Sequence, residues 1–212
     1  MTNVFTARPT EQSYPQLLQA FSHFNMLLFK GRLPPVLFTL VNKPNSKGYF
    51  HAEHFEHATM GVYTDEISLN PTLFRERTDR ETLSTLVHEM VHLWQMHHGN
   101  PPRAAYHNAE WADKMQDVGL MPSSTGQLGG KRTGAHMTHY IIPGGPFDTA
   151  CKKLLDSGFA ITWKARPTPP KAGKGLSGKR VKYMCGTCDA RVWGKADLHI
   201  MCGDCRLQLL PV

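Results

Sequence analysis

Apolar residues recur at helical spacing from Leu17 and Leu18 through Phe21 and Phe24 to Leu28. Ser13 and Pro15 precede them and read as a cap and a first helical turn, while Gly31 and the Pro34–Pro35 pair close the pattern. The period then changes. An apolar run from Val36 to Val41 and a turn-rich stretch from Asn42 to Gly48 come next. Segments 48–55 and 61–69 follow, and these elements predict a three-stranded sheet. Thr78 and Glu81 form a T-x-x-E capping box for a helix predicted to reach His98, where Gly99 and Pro101–Pro102 stop it. A second helix is predicted from about Ala104 to Val118, closed by Gly119. Further on, 122–134 reads as a Gly/Ser/Thr-rich loop, Met137–Ile142 as a strand, Thr149–Asp156 as a short helix and Phe159–Trp163 as a strand. The Pro- and Gly-rich stretch 164–180 reads as a linker to a small terminal unit, 181–212. No internal repeat interrupts this organisation.

The first predicted long helix after the sheet carries His88-Glu89-Met90-Val91-His92, an HExxH sequence. Residues four apart lie about 40° apart around a helix, so both imidazoles can reach one metal ion with Glu89 beside it. A catalytic zinc takes a third protein ligand and keeps one position open for water. His98 stands at the distance where metzincins place their third histidine, but Gln95 occupies the position of the helix-breaking glycine. A continuing helix turns His98 about 240° away from His92, and His97 about 140°. His107, beyond the Gly99–Pro102 reversal, is the better candidate; Glu110 is the alternative, as third ligand or as a partner fixing a histidine tautomer. In such a site Glu89 serves as general base, and Tyr63, Tyr106, His136, His139 or Tyr140 as the second donor to a developing oxyanion.

Cysteine usage changes the picture of the terminal unit. Cys185-x2-Cys188 and Cys202-x2-Cys205, 13 residues apart, are two knuckles of the kind that build a tetrahedral zinc ribbon. Some 32 residues have too little core to fold alone, so metal is expected to supply most of that unit's stability. Charge concentrates there too. Residues 1–163 carry 14 basic and 14 acidic side chains, whereas 164–212 carry 10 basic and 3 acidic, so the whole net charge of +7 lies in the last segment. A basic tail favours a polyanion such as nucleic acid. Lys179, Arg180, Lys182, Arg191, Trp193 and Lys195 are the candidate contacts, the tryptophan either stacking on a base or filling the ribbon's own core.

Three features are set aside. His51, His54 and His57 recur every third residue, a spacing that alternates faces on a strand and argues against one common site. The stretch 126–134, GQLGGKRTG, has Arg132 where a phosphate loop needs Ser or Thr. Cys151 reads as a small buried residue. With 41% hydrophobic and 19% charged residues, no apolar run of membrane-spanning length and no signal-peptide pattern, the composition predicts a folded, soluble, cytoplasmic protein.

HEMVH, the fifteen-residue step to the histidine of YHNAEWADKM, and the C-terminal pair of CxxC units together resemble the SprT-like, or Spartan-type, zinc metallopeptidases. The resemblance runs from the first helix through Gly119 and again from Tyr183 to the end. It includes the strand segment Glu66-Ile67-Ser68-Leu69-Asn70, and 120–163 is less easily matched. It implies an α+β, zincin-like peptidase domain at 1–163, with its HExxH helix packed on a small β-sheet. A basic linker at 164–180 and a four-cysteine zinc ribbon at 181–212 complete the chain. It further implies one catalytic zinc on His88, His92 and His107 with Glu89 as catalytic residue, and one structural zinc on Cys185, Cys188, Cys202 and Cys205. The activity implied is cleavage of proteins bound or crosslinked to DNA by a monomer associated with the nucleoid. Two other readings compete: an inactive nucleic-acid adaptor, and a general zinc peptidase without DNA coupling.

Overall fold

The computed structural model describes residues 8–166 and 180–212. Contacts divide the chain into two compact units, Met1–Arg166 and Pro167–Val212. The stretch 167–179 of the expected linker, Lys179 included, lies outside the described residues. Lys164, at the start of that linker, pairs with Asp79 at 2.9 Å.

The first unit is a mixed α/β structure of four helices and small sheets. Helix α1, Pro9–Phe29, starts about one and a half turns earlier than its apolar spacing predicts, and Pro15 lies inside it. A local pair between Arg8 and Glu11 at 3.1 Å and a tertiary bond from Trp163 Nε1 to Gln12 at 2.8 Å support those extra turns, and Thr162 Oγ1 donates to Gln16 just beyond them at 3.1 Å. Strands β1 (Leu37–Leu40), β2 (Gly48–Glu56) and β3 (Tyr63–Leu69) form one sheet in the order β1-β3-β2, with β1 parallel and β2 antiparallel to β3. A short 3-10 turn, Pro71–Leu73, leads to helix α2, Asp79–His98.

The expected capping box starts α2. Thr78 accepts from the Glu81 amide, and the Glu81 carboxylate accepts from the Thr78 amide at 2.8 Å. Every residue from Thr82 to Val91 is buried, because the sheet, α1, α3 (Ala109–Asp117) and α4 (Pro146–Asp156) all pack around α2. Gly48 allows the sheet to come this close: a Cβ there would stand 2.8 Å from Ser68 O and 3.1 Å from Thr85 Cγ2. The core is apolar and continuous, from Phe24 of α1 through Ile67, Leu86 and Met90 to Trp111 and Phe147.

Past α3 the structure departs from the periodicity. Leu120–Ser123 is a strand, β4, paired antiparallel with β5 (Thr138–Ile141); the predicted loop begins only beyond it. Phe159–Trp163, predicted as a strand, belongs to no sheet. Phe159 and Ile161 are buried, and the Ile161 amide donates to Asp79 at 3.0 Å, so side-chain and cap contacts replace a partner strand. The second unit contains β6 (Val181–Met184), β7 (Arg191–Gly194) and β8 (Leu210–Pro211), in the order β7-β6-β8 around Tyr183, Cys185, Cys202 and Leu209. No helix among the described residues is long and apolar enough to cross a membrane.

Candidate metal centre

Helix geometry puts His88 and His92 one turn apart on α2, with ring centroids 5.2 Å apart. His107, expected inside the second helix, joins them from a position before it. That helix begins at Ala109, with Asn108 as its cap accepting from the Trp111 amide at 3.0 Å. His107 instead forms a short antiparallel bridge with Gly134: its amide donates to Gly134 O at 2.9 Å, and Gly134 N donates to His107 O at 3.1 Å. The same carbonyl lies 3.1 Å from His107 Nδ1, which leaves Nε2 directed at His92 Nε2, 3.1 Å away. One ring nitrogen from each of His88, His92 and His107 lies within 4.8 Å of the other two.

Trp111, fully buried, backs this cluster. It stacks on His92 at 5.4 Å and meets His107 edge-on at 4.3 Å. Burial disfavours the imidazolium, pushing His92 down to about 3, lowering His107, and holding His88 well below its ordinary value with help from the adjacent rings. Neutral imidazole is the ligand form. Two nitrogens bound to one tetrahedral zinc are about 3.3 Å apart, so the His92–His107 pair already has the spacing such an ion requires.

Glu89 and His88 line one cleft of about 220 Å³ with Lys47, Gly48, Thr85, Met137, Thr138 and His139. Burial raises the Glu89 carboxyl to about 8, against a smaller opposing pull from Lys43. The competing ligand candidates are engaged elsewhere. Glu110 accepts from Gln95 Nε2 at 2.6 Å and from the Asn100 amide at 2.8 Å. His97 pairs with Asp65 at 2.6 Å, and His98 Nε2 lies 3.1 Å from Arg32 O.

His139, expected among the oxyanion donors, has both ring nitrogens occupied: Nδ1 lies 3.1 Å from His88 Nδ1 and Nε2 2.9 Å from Ser84 Oγ. The sequence offered no signal for this role beyond a histidine on a predicted strand.

Residues 17–139, more than half of the chain, match the family model described as SprT-like family. The chain belongs to the SprT-like family. An uncharacterized protein in the mucB 3′ region of Salmonella typhimurium is 37% identical over 59 residues, covering 28% of this chain and 80% of that protein. No solved structure matches this chain. The SprT-like match takes in His88, Glu89, His92, His107, Gly134 and His139, so it extends well past Gly119, where the resemblance in the first unit stopped.

A second cluster lies in the terminal unit of this SprT-like protein. Sulfurs of Cys185, Cys188, Cys202 and Cys205 lie within 4.8 Å of one another, with Cys188 and Cys202 3.6 Å apart. The two knuckles share one backbone pattern. Asp189 N donates to Cys185 O and Arg206 N to Cys202 O, and Asp189 and Arg206 both have positive φ. The amides of Cys188 and Thr187 face the Cys185 sulfur and pull its thiol down to about 7, toward the thiolate that binds metal. Both donor sets are compatible with zinc.

Trp193 is 59% exposed, so it does not fill the core of the terminal unit. Cross-strand partners share a face, and Lys182 pairs with Trp193 while Arg191 lies two residues before it. These three side chains therefore share one face of the sheet, opposite buried Tyr183. Arg180 and Lys195 are exposed as well.

The structure brings His51 and His54 together, which strand alternation does not predict. A bulge between His51 and Phe55, with Glu53 at φ 48, sets their rings 4.2 Å apart. His54 pairs with buried Glu66 at 2.5 Å, so this cluster serves a buried carboxylate. Cys151 is fully buried, and burial pushes its thiol up to about 11.

Proposed function

We propose that this chain is a zinc-dependent endopeptidase of zincin-like fold that cleaves proteins bound or crosslinked to DNA. The observation that carries the reading is the convergence of His88, His92 and His107 nitrogens within 4.8 Å, beside the Glu89 cleft, in a member of the SprT-like family. An inactive adaptor has no need of that constellation.

A zinc ion held by the three histidines would supply Lewis acidity, lowering the pKa of water toward about 7 and polarising the scissile carbonyl. Glu89 takes the proton of the attacking water and hands it to the leaving amine. Burial raises its affinity for that proton, and the charge of a zinc ion beside it would keep the carboxylate ionised until the transfer. Trp111 and the bridge to Gly134 hold the imidazoles in place. The cleft, walled by Gly48 and Thr138, receives the peptide.

Support for DNA coupling comes from the terminal unit. Lys182, Arg191 and exposed Trp193 on one face combine phosphate-neutralising charge with a stacking surface, the combination that grips single-stranded nucleic acid. A second zinc on the four cysteines would hold that face together.

Elemental analysis of protein purified without a metal-affinity tag tests the first element. Two zinc ions per chain are expected, falling to one in the His88→Ala/His92→Ala variant. The second element is tested on a protein crosslinked to single-stranded DNA: cleavage by the parent and none by Glu89→Gln with zinc retained. One zinc that is indifferent to the histidines overturns the peptidase reading. Cleavage that is unchanged on removing 164–212 overturns the DNA coupling.

A further inference from the structure

We propose that His139 is a positioning residue that fixes the ring tautomer of His88, with Ser84 in turn fixing that of His139. This rests on the zinc-site reading above.

The three residues form a buried line. His88 Nδ1 lies 3.1 Å from His139 Nδ1, His139 Nε2 lies 2.9 Å from Ser84 Oγ, and Ser84 Oγ donates to Glu81 O at 2.8 Å. Two ring nitrogens at that distance share one proton, so one must donate and the other accept. Only two proton arrangements satisfy the line. In the first, Ser84 gives its single hydrogen to Glu81 O and accepts from His139 Nε2. His139 Nδ1 is then a lone pair that accepts from His88 Nδ1–H, and His88 Nε2 is left bare for a metal.

In the second arrangement Ser84 turns its hydrogen to His139 Nε2. His139 Nδ1 then donates to His88 Nδ1, which forces the remaining His88 proton onto Nε2, where it blocks ligation. The first arrangement makes three hydrogen bonds and the second two, because the second abandons Glu81 O. The fold therefore favours the ligating tautomer before any metal arrives.

His107 is served in the same way by different chemistry. Gly134 O, 3.1 Å from His107 Nδ1, can only accept, so the proton sits on Nδ1 and Nε2 is bare. Partners for two of the three imidazoles thus come from Gly134 and His139, in the segment beyond α3.

The test compares full-length parent protein with His139→Leu, His139→Asn and Ser84→Ala, titrating zinc against a chelator. The cysteine-site zinc in the same molecule is an internal reference, and thermal melts report folding. Leu removes the acceptor and is expected to weaken the histidine site about 10- to 100-fold. Asn places an amide oxygen where Nδ1 was and should stay within about threefold of the parent. Ser84→Ala frees His139 to turn and should give an intermediate loss. Long-range proton–nitrogen NMR on the zinc-loaded parent should find His88 protonated on Nδ1 and His139 on Nε2.

Equal affinity in the parent and His139→Leu, or a His139 proton on Nδ1, overturns the positioning role while leaving the zinc site standing. Parent protein that fills only the cysteine site overturns both.

Discussion

Gln95 Nε2 donates to the Glu110 carboxylate at 2.6 Å and approaches Asn108 Oδ1 at 2.8 Å, tying the last turn of α2 to the cap of α3. Asn100 N adds a second bond to the same carboxylate, which these donors hold below its ordinary pKa. Gly99 lies beneath it, where a Cβ would come within 2.6 Å of Glu110 Oε2. His107 directly precedes Asn108, so this clamp decides where His107 arrives. Gln95→Ala is expected to cost about 1–3 kcal/mol by removing two hydrogen bonds, one of them to a charged carboxylate, and to weaken zinc at the histidine site while sparing the cysteine site. Urea unfolding and a chelator titration measure the two effects separately.

Thr78→Ala removes the capping box of α2 without touching the site. The expected loss is about 1 kcal/mol, seen as a lower urea midpoint with an unchanged slope. Zinc content should stay at the parent level, which separates weakening of the helix from damage to the metal centre.

Acid should act on Glu66. Burial pushes its carboxyl up, but hydrogen bonds from Thr39, His54 and Tyr49 outweigh it and hold the folded pKa below 4.5. A depressed carboxylate contributes stability that is complete above its unfolded pKa and is lost as pH falls through the folded value. Glu66→Gln keeps the shape but lacks the charge. Its stability relative to the parent should therefore be lowest near neutrality and recover toward acid, as denaturation midpoints from pH 7 down to about 3 would show.

Trp193→Ala is expected to weaken single-stranded DNA binding by about 1–3 kcal/mol with the ribbon's zinc and folding intact, since the side chain is exposed. Lys182→Ala should instead flatten the salt dependence, by about one unit of slope or less. Fluorescence anisotropy across a salt series distinguishes the two. Unchanged binding in both variants would remove this face from the DNA reading.

Much of the site was legible because its chemistry is local. His88 and His92 share a helical face by virtue of a four-residue spacing, and Thr78 and Glu81 close a capping box within one turn. The CxxC knuckles likewise fold on themselves through bonds between residues four apart. The three-stranded sheet was legible from the change of period, but its order was not, because β1 pairs with β3 across the intervening strand.

The sequence by itself determined the HEMVH helix, the two cysteine knuckles and the concentration of charge near the end of the chain. Each depends only on residues close together in the chain or on composition. Tertiary structure decided that His107 stands on a bridge to Gly134 rather than on a helix, and that His54 reaches Glu66 through a bulge. It also decided that the ring nitrogens of His139 are taken up by His88 and Ser84. These partners are 12 or more residues apart in the chain. No periodicity links residues at such separations. They meet because packing around the buried α2 helix brings their strands and loops to the same place.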